Sequence, residues 1–154
     1  MLFLLFQIGK DRYGLEASHV VEVVPWVDLK KIPQALAGVA GIFNYHGALV
    51  PVLDLSELAA GQSSARHLST RIILVNYPFN TKENHVLGLI AEQATETAQF
   101  DVAAFDDPGV DAPKAPYLGP VAKDRRGLIQ WIEVTKLLPK ALRDRLFRAT
   151  EEWA

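Results

Sequence analysis

Four histidines, His19, His46, His67 and His85, are the groups whose type suits proton exchange near neutral pH. No two of them stand at i, i+4, the spacing at which a helix offers a pair of imidazoles to a metal ion. His19 is followed by Val20 and Val21, not by the glutamate of a zinc-protease helix. The sequence has no cysteine, which removes thiolate nucleophiles, zinc–thiolate sites, iron–sulfur clusters and disulfides together. Gly61-Gln62-Ser63-Ser64-Ala65 lacks the second glycine of a nucleophile elbow, and Gly38-Val39-Ala40-Gly41 lacks the dinucleotide-binding spacing. No P-loop lysine follows a glycine run. Asp101, Asp106, Asp107 and Asp111 cluster, but without the spacing and terminal glutamate of a calcium loop, so they read as a solvated acidic loop. The expectation is a protein with no catalytic set, no metal and no cofactor.

Composition agrees with that expectation. The chain has 154 residues, 49% hydrophobic and 22% charged, the profile of one globular domain over residues 1–154. Sixteen basic and 18 acidic residues give a formal charge of −2. Six of each sign fall in residues 1–77, so neither half is a basic footprint for nucleic acid. Trp26, Trp131 and Trp153 have no basic stripe between them to make a stacking platform. The apolar opening Met1-Leu2-Phe3-Leu4-Leu5-Phe6 is too short to span a bilayer and lacks the flanks of a signal peptide. A cytoplasmic protein without direct membrane insertion is expected.

The segment most able to do something specific is Gly41-Ile42-Phe43-Asn44-Tyr45-His46-Gly47-Ala48-Leu49-Val50-Pro51-Val52-Leu53-Asp54-Leu55. It reads as strand, tight turn, strand, with Asn44 and Gly47 expected to take the unusual backbone angles. Pro51 has no N–H, so its strand is expected to be an edge there or to carry a bulge. An edge strand with apolar neighbours is a docking surface.

Short strands must position this hairpin. Leu2–Ile8 and residues 12–15 form a first hairpin around Gly9-Lys10-Asp11, one helical turn covers Ala17–His19, and a β-branched strand runs over 20–24. Further strands are expected over 42–45, 49–53, 71–76, 86–90, 117–121 and 128–132. Asp54 or Ser56 caps a short helix that Gly61 ends. Residues 61–69 and 100–116 read as surface loops. Leu138, Leu142, Leu146 and Phe147 give an amphipathic helix over 139–151. A repeat is also present. Residues 14–23 match residues 88–97 at Gly14/Gly88, Leu15/Leu89, Ala17/Ala91 and Glu22/Glu96, and 49–56 echo 128–135. Two small β-barrels sharing one interior would give this pattern, with chance similarity as the alternative.

The hairpin segment resembles the CheW family of coupling proteins in bacterial chemosensory arrays. Gly41, Asn44, Gly47, Val50, Pro51, Val52, Asp54 and Leu55 follow the family pattern in order. Phe6 to Gly9, Tyr13 to Leu15, Val20 to Val23, Ile32-Pro33, Val86 to Ile90 and Leu137-Leu138-Pro139 extend the resemblance over most of the chain. It implies a mainly β fold of two small five-stranded SH3-like β-barrels packed around a shared core, with short helices and the C-terminal amphipathic helix. It also implies a non-enzymatic adaptor that joins chemoreceptor cytoplasmic tips to the regulatory domain of a CheA-type histidine kinase, recruited to receptor assemblies at the inner membrane. The partner-binding residues it implies are Val20, Glu22 and Val24 on one strand and Asn44, His46, Gly47 and Pro51 on the hairpin. The family has arginine, close to the acidic residue matching Glu22, where this chain has His46. That departure, with the opening residues and Gly127 to Ile132, points to a Wsp-type surface-sensing variant. An ion pair between His46 and Glu22 is expected, so that binding weakens as the imidazole loses its charge. Two other readings compete: a regulatory module that binds only a signalling kinase, and a small β-barrel hydrolase using Asp54, His46 and a serine.

Overall fold

The computed structural model describes residues 1–33, 35, 38–78, 84–110 and 112–138. The helix expected over 139–151 lies outside the described residues. Among the described residues nine strands form: β1 Leu2–Ile8, β2 Asp11–Glu16, β3 Val20–Pro25, β4 Val39–Tyr45, β5 Ala48–Asp54, β6 Arg71–Pro78, β7 Asn84–Gln99, β8 Leu118–Asp124 and β9 Gly127–Ile132. A short helix, α1 Leu55–Ala60, follows β5, and 3-10 turns cover Ala17–His19, Val102–Ala104 and Val134–Lys136. Asp54 starts α1 and Gly61 (φ 75°) stops it in the left-handed conformation, as expected.

All nine strands belong to one hydrogen-bonded network that β7 divides. The first part of β7 lies between β6 and β5, giving the order β3-β6-β7-β5-β4. Its last part pairs with β1, giving β7-β1-β2-β9-β8. These are the two five-stranded units of the expected fold, hereafter barrels B and A, and they share one long strand. The change of sheet falls at Gln93, whose φ of 54° swings the chain. Two bonds hold the bend: the Ala94 N–H donates to Ser69 O (3.1 Å) and the Ala65 N–H to the Glu92 carboxylate (2.8 Å).

The strand partners follow the offsets of the sequence repeat. Gly14 lies opposite Trp131 in the parallel pair β2·β9, and Gly88 opposite Val52 in the parallel pair β5·β7. The register of β4·β5 slips between Val39 and Gly41, and that of β8·β9 between Leu118 and Val121, the corresponding positions. An isolated bridge closes on the outer edge of each of these hairpins, Lys30 to Ile42 and Asp106 to Val121. Each barrel therefore takes three strands from one repeat and two from the other.

Burial explains why this arrangement holds. Phe3, Leu5 and Ile129 fill barrel A, with Phe100, Phe105 and Trp131 around them, and the Phe3 ring lies 5.0 Å edge-on from Trp131 and 5.2 Å from Phe105. Val50, Val52, Ile72, Leu74 and Ile90 fill barrel B. Between the barrels a larger core gathers Leu4, Phe6, Leu15, Leu53, Ile73, Tyr77, Leu89, Ile132 and others. Strands such as β1 and β6 are apolar on both faces because one face lines a barrel and the other the shared core.

Two expectations need amendment. The second half of β7 is a strand that the sequence does not announce, because Ala94 and Ala98 are its apolar positions and alanine is a weak strand former. The stretch 100–116 is more than a surface loop. Phe100 and Phe105 pack into barrel A, Asp101 caps the turn after it by accepting from the Ala103 N–H (3.0 Å), and Asp106 bonds Val121. Of the acidic cluster, the Asp101 and Asp107 carboxylates thus serve as turn acceptors, while the Asp106 bridge is made by its backbone.

Arg12 on β2 grips Asp124 at the end of β8 with two parallel bonds of 2.7 and 2.8 Å. The guanidinium holds the Asp124 carboxyl down at about 2. An unfolded aspartate titrates near ~4, so the pair's contribution is fully present above about pH 4 and is lost as pH falls through the folded value. Asp124→Asn is expected to flatten this part of the acid-unfolding curve and to cost under about 1 kcal/mol at neutral pH, measured by urea unfolding at pH 3 and pH 7.

Candidate functional site

The β4–β5 turn is built from its backbone outward. Tyr45 pairs with Ala48, leaving His46 and Gly47 as a two-residue loop. A loop of that length matches the strand twist in a type I′ or II′ turn, and the I′ form takes both central residues in the left-handed region. His46 (φ 51°) and Gly47 (φ 86°) supply it. The expectation that Asn44 takes an unusual angle is corrected: Asn44 acts through its side chain, whose Oδ1 accepts from the Gly47 N–H at 2.7 Å. Asparagine is the residue such loops prefer at the position of His46. His46→Asn is therefore expected to raise stability by about 0.5–1 kcal/mol in a urea titration.

Beside this turn runs β3. It pairs with β6 on one side, and among the described residues no strand pairs with its other edge. Its register against β6 slips between Val20 and Glu22, leaving Val21 as an extra residue. That bulge breaks the two-residue alternation. Val20 is half-buried against the shared core, Val24 half-buried against the interior of barrel B, and Val21, Glu22 and Val23 are exposed.

The expected pair of His46 and Glu22 does not form. The residue that reaches Glu22 is Tyr45, whose hydroxyl donates to the carboxylate. Left-handed backbone at His46 puts its ring edge-on to Tyr45 instead, with centroids 4.4 Å apart. The bond to Glu22 is the main reason the Tyr45 phenol lies above its ordinary range, with desolvation second.

Of the seven predicted residues, Glu22, Asn44, His46 and Gly47 are exposed, and Tyr45 is the residue that links the turn to Glu22. Pro51 is buried opposite Ile42, at the last position before β5 gains β7 as a second neighbour, so its missing N–H leaves no ladder bond unmade on that side. Sequence reasoning passed over Val21, Val23 and Tyr45. The two valines read as ordinary strand residues; in the structure Val21 is the extra residue of the bulge and Val23, in register with Ile73, is also exposed. Tyr45 lies one place before the departure from the family pattern, which drew attention to His46.

The hydrolase constellation is not assembled. Asp54 sits at the far end of β5 from the turn, roughly 20 Å from His46 at strand rise. Its carboxylate is buried and engaged by Ser64 and by the first amides of α1. The groove beside it, between Trp26, Ile32 and Arg66, has no histidine in its lining. Among the described residues no group of three or more His, Asp or Glu side chains is placed to hold a metal ion. Nor is any helix there long and apolar enough to cross a membrane.

Fold and surface together define a class: a pair of five-stranded barrels sharing a core, whose distinctive exposed feature is a bulged apolar strand edge beside a hairpin tip. The chain belongs to the CheW-like domain family, which matches residues 2–142. It is 27% identical to the chemotaxis protein CheW of Klebsiella aerogenes over 106 residues, 65% of this chain and 64% of that one. The match to the CheW protein of Treponema pallidum is 38% over 52 residues, 31% of that protein. The matches thus span less than two thirds of these two relatives. Protein FrzA of Myxococcus xanthus is 26% identical over 142 residues, 90% of this chain and 86% of that one. Among solved structures, the scaffolding protein TtCheW of Thermoanaerobacter tengcongensis superposes with a TM-score of 0.77 at 25% identity, over 90% of this chain and 87% of that one.

Proposed function

We propose that the chain is a non-enzymatic adaptor of chemotaxis-type signalling, a single module that couples the cytoplasmic tips of chemoreceptors to the regulatory domain of a CheA-type histidine kinase. The observation that carries this reading is the face around β3: an unpaired strand edge with Val21 and Val23 exposed on either side of Glu22, next to the tip formed by Asn44, Tyr45, His46 and Gly47. Exposed β-branched residues around one charge suit a protein surface that offers apolar contact and a hydrogen-bond donor or cation. Membership of the CheW-like family and the names of its relatives support the signalling context. The working place is the cytoplasm, at receptor assemblies on the inner membrane, and the His46 departure fits a Wsp-type surface-sensing pathway.

Calorimetry against a CheA-type regulatory domain and, separately, a receptor-tip fragment tests this. Both are expected to bind, and Glu22→Lys is expected to weaken at least one association by about tenfold or more, because reversal removes the charge the face presents. Binding of the kinase domain alone would favour a kinase-only regulatory module. Binding of neither would overturn the adaptor reading.

A further inference from the structure

The repeat relates more than strands. Glu22 on β3 corresponds to Glu96 on β7, and the tip of the β4–β5 hairpin corresponds to the tip of β8–β9, since Tyr45 opposite Ala48 matches Asp124 opposite Gly127. In each barrel the strand carrying the glutamate runs beside this hairpin, and among the described residues no strand pairing joins the two. Each barrel thus has an open seam among the described residues, and in each a hairpin-tip side chain crosses it to the corresponding glutamate. In barrel A, Arg126 donates to Glu96. In barrel B, Tyr45 donates to Glu22. One clasp uses a cation and the other a neutral phenol.

We infer that Tyr45 is the positioning residue of the β3 face, its hydroxyl clasping Glu22 across the seam of barrel B as Arg126 clasps Glu96 across the seam of barrel A. The consequence for partner choice rests on the proposed docking function. A carboxylate already holding an arginine is largely neutralised. One holding a phenol keeps its full negative charge while losing its freedom to move. The edge of β3 thus presents an oriented carboxylate that meets no cation among the described residues, with exposed Val21 and Val23 adjoining it along the strand, fitted to a partner segment that brings an arginine or lysine with apolar residues near it. The His46 ring packs edge-on against the Tyr45 ring.

Two measurements decide this. Carbon-13 NMR of tyrosine-labelled protein follows the Tyr45 phenol through alkaline titration. It is expected to ionise above the ordinary phenol range in the wild type and to move back towards it in Glu22→Gln. An identical titration in both proteins overturns the clasp, whether or not any partner binds. Binding of the kinase domain and receptor-tip fragment then tests its consequence. Tyr45→Phe keeps the ring, so the thermal midpoint is expected to change little while affinity for the partner on this face falls about tenfold. The Tyr45→Phe/Glu22→Gln double variant is expected to bind no more weakly than Glu22→Gln, because the hydroxyl acts through the carboxylate. Tyr45→Arg, which keeps a donor on Glu22 but neutralises its charge, is expected to leave the midpoint close to wild type and to bind as weakly as Tyr45→Phe. Wild-type affinity in Tyr45→Phe, or additive losses in the double variant, would overturn the positioning role. A wild type that binds neither partner would instead overturn the adaptor reading, with the phenol titration still deciding the clasp.

Discussion

Gly41→Ala is expected to destabilise the protein by about 3 kcal/mol, with the urea midpoint falling and the slope unchanged. Gly41 has a φ of 153°, outside the range L side chains ordinarily adopt, and a Cβ there would lie 2.6 Å from the Lys30 carbonyl oxygen. That oxygen accepts from the Ile42 N–H at 2.9 Å, and the Lys30 N–H returns a bond to Ile42 O at 2.8 Å. Neither partner in the clash is a flexible side-chain end. The substitution must either separate Lys30 from Ile42, losing two bonds worth about 0.5–1.5 kcal/mol each, or strain β4 at its bulge. Gly47→Ala makes the contrast. Gly47 is also left-handed, but nothing lies within 4 Å of its added Cβ, so only the backbone preference is lost, about 1 kcal/mol. Equal losses at the two positions would contradict the close approach at Gly41.

Asp54→Ala is expected to cost a similar amount, about 3 kcal/mol. Its buried carboxylate accepts four bonds: Ser56 N–H (3.1 Å), Glu57 N–H (3.4 Å), Ser64 hydroxyl (2.6 Å) and Ser64 N–H (2.8 Å). The first two cap α1, and losing a cap costs about 1 kcal/mol. The last two tie down the loop after the helix, and Ser64 is itself buried, so its donors would be left without acceptors at about 1–3 kcal/mol. Asp54→Asn keeps one acceptor oxygen and is expected to lose less. Hydrogen exchange at the Ser64 amide separates the two effects: it should rise sharply in Asp54→Ala and hardly at all in a Ser56→Ala control. An unchanged Ser64 amide in Asp54→Ala would contradict the tether.

These two residues also show what the sequence could and could not disclose. Gly41 and Asp54 both stand in the family pattern, and in the structure each has an architectural role. Gly41 lets two backbones meet, and Asp54 stops a strand and starts a helix. Strand positions were readable wherever valine, isoleucine and leucine run densely, as in β1, β5 and β6. The helix stop at Gly61 and the turn at Ala17–His19 were readable from local chemistry. The last half of β7 was not, because its apolar positions are alanines and its bend depends on a left-handed glutamine. The exchange of strands between barrels was not readable either, since parallel pairing of β2 with β9 joins residues more than a hundred positions apart. At the surface, Glu22 and the turn were legible as a site. Tyr45 as the partner of Glu22 was not, because which side chain crosses a seam depends on the turn geometry that throws His46 outward and leaves Tyr45 facing β3.

A chain that links receptor and kinase must be required for the two to meet. Receptor-bearing membrane vesicles, the CheA-type kinase and this protein can be combined, pelleted and assayed for kinase in the pellet and for autophosphorylation rate. An adaptor predicts that the kinase pellets with the vesicles and responds to receptor ligand only when this protein is present. Kinase that pellets and responds equally in its absence, or a protein that stays in the supernatant while vesicles and kinase are both present, would contradict it.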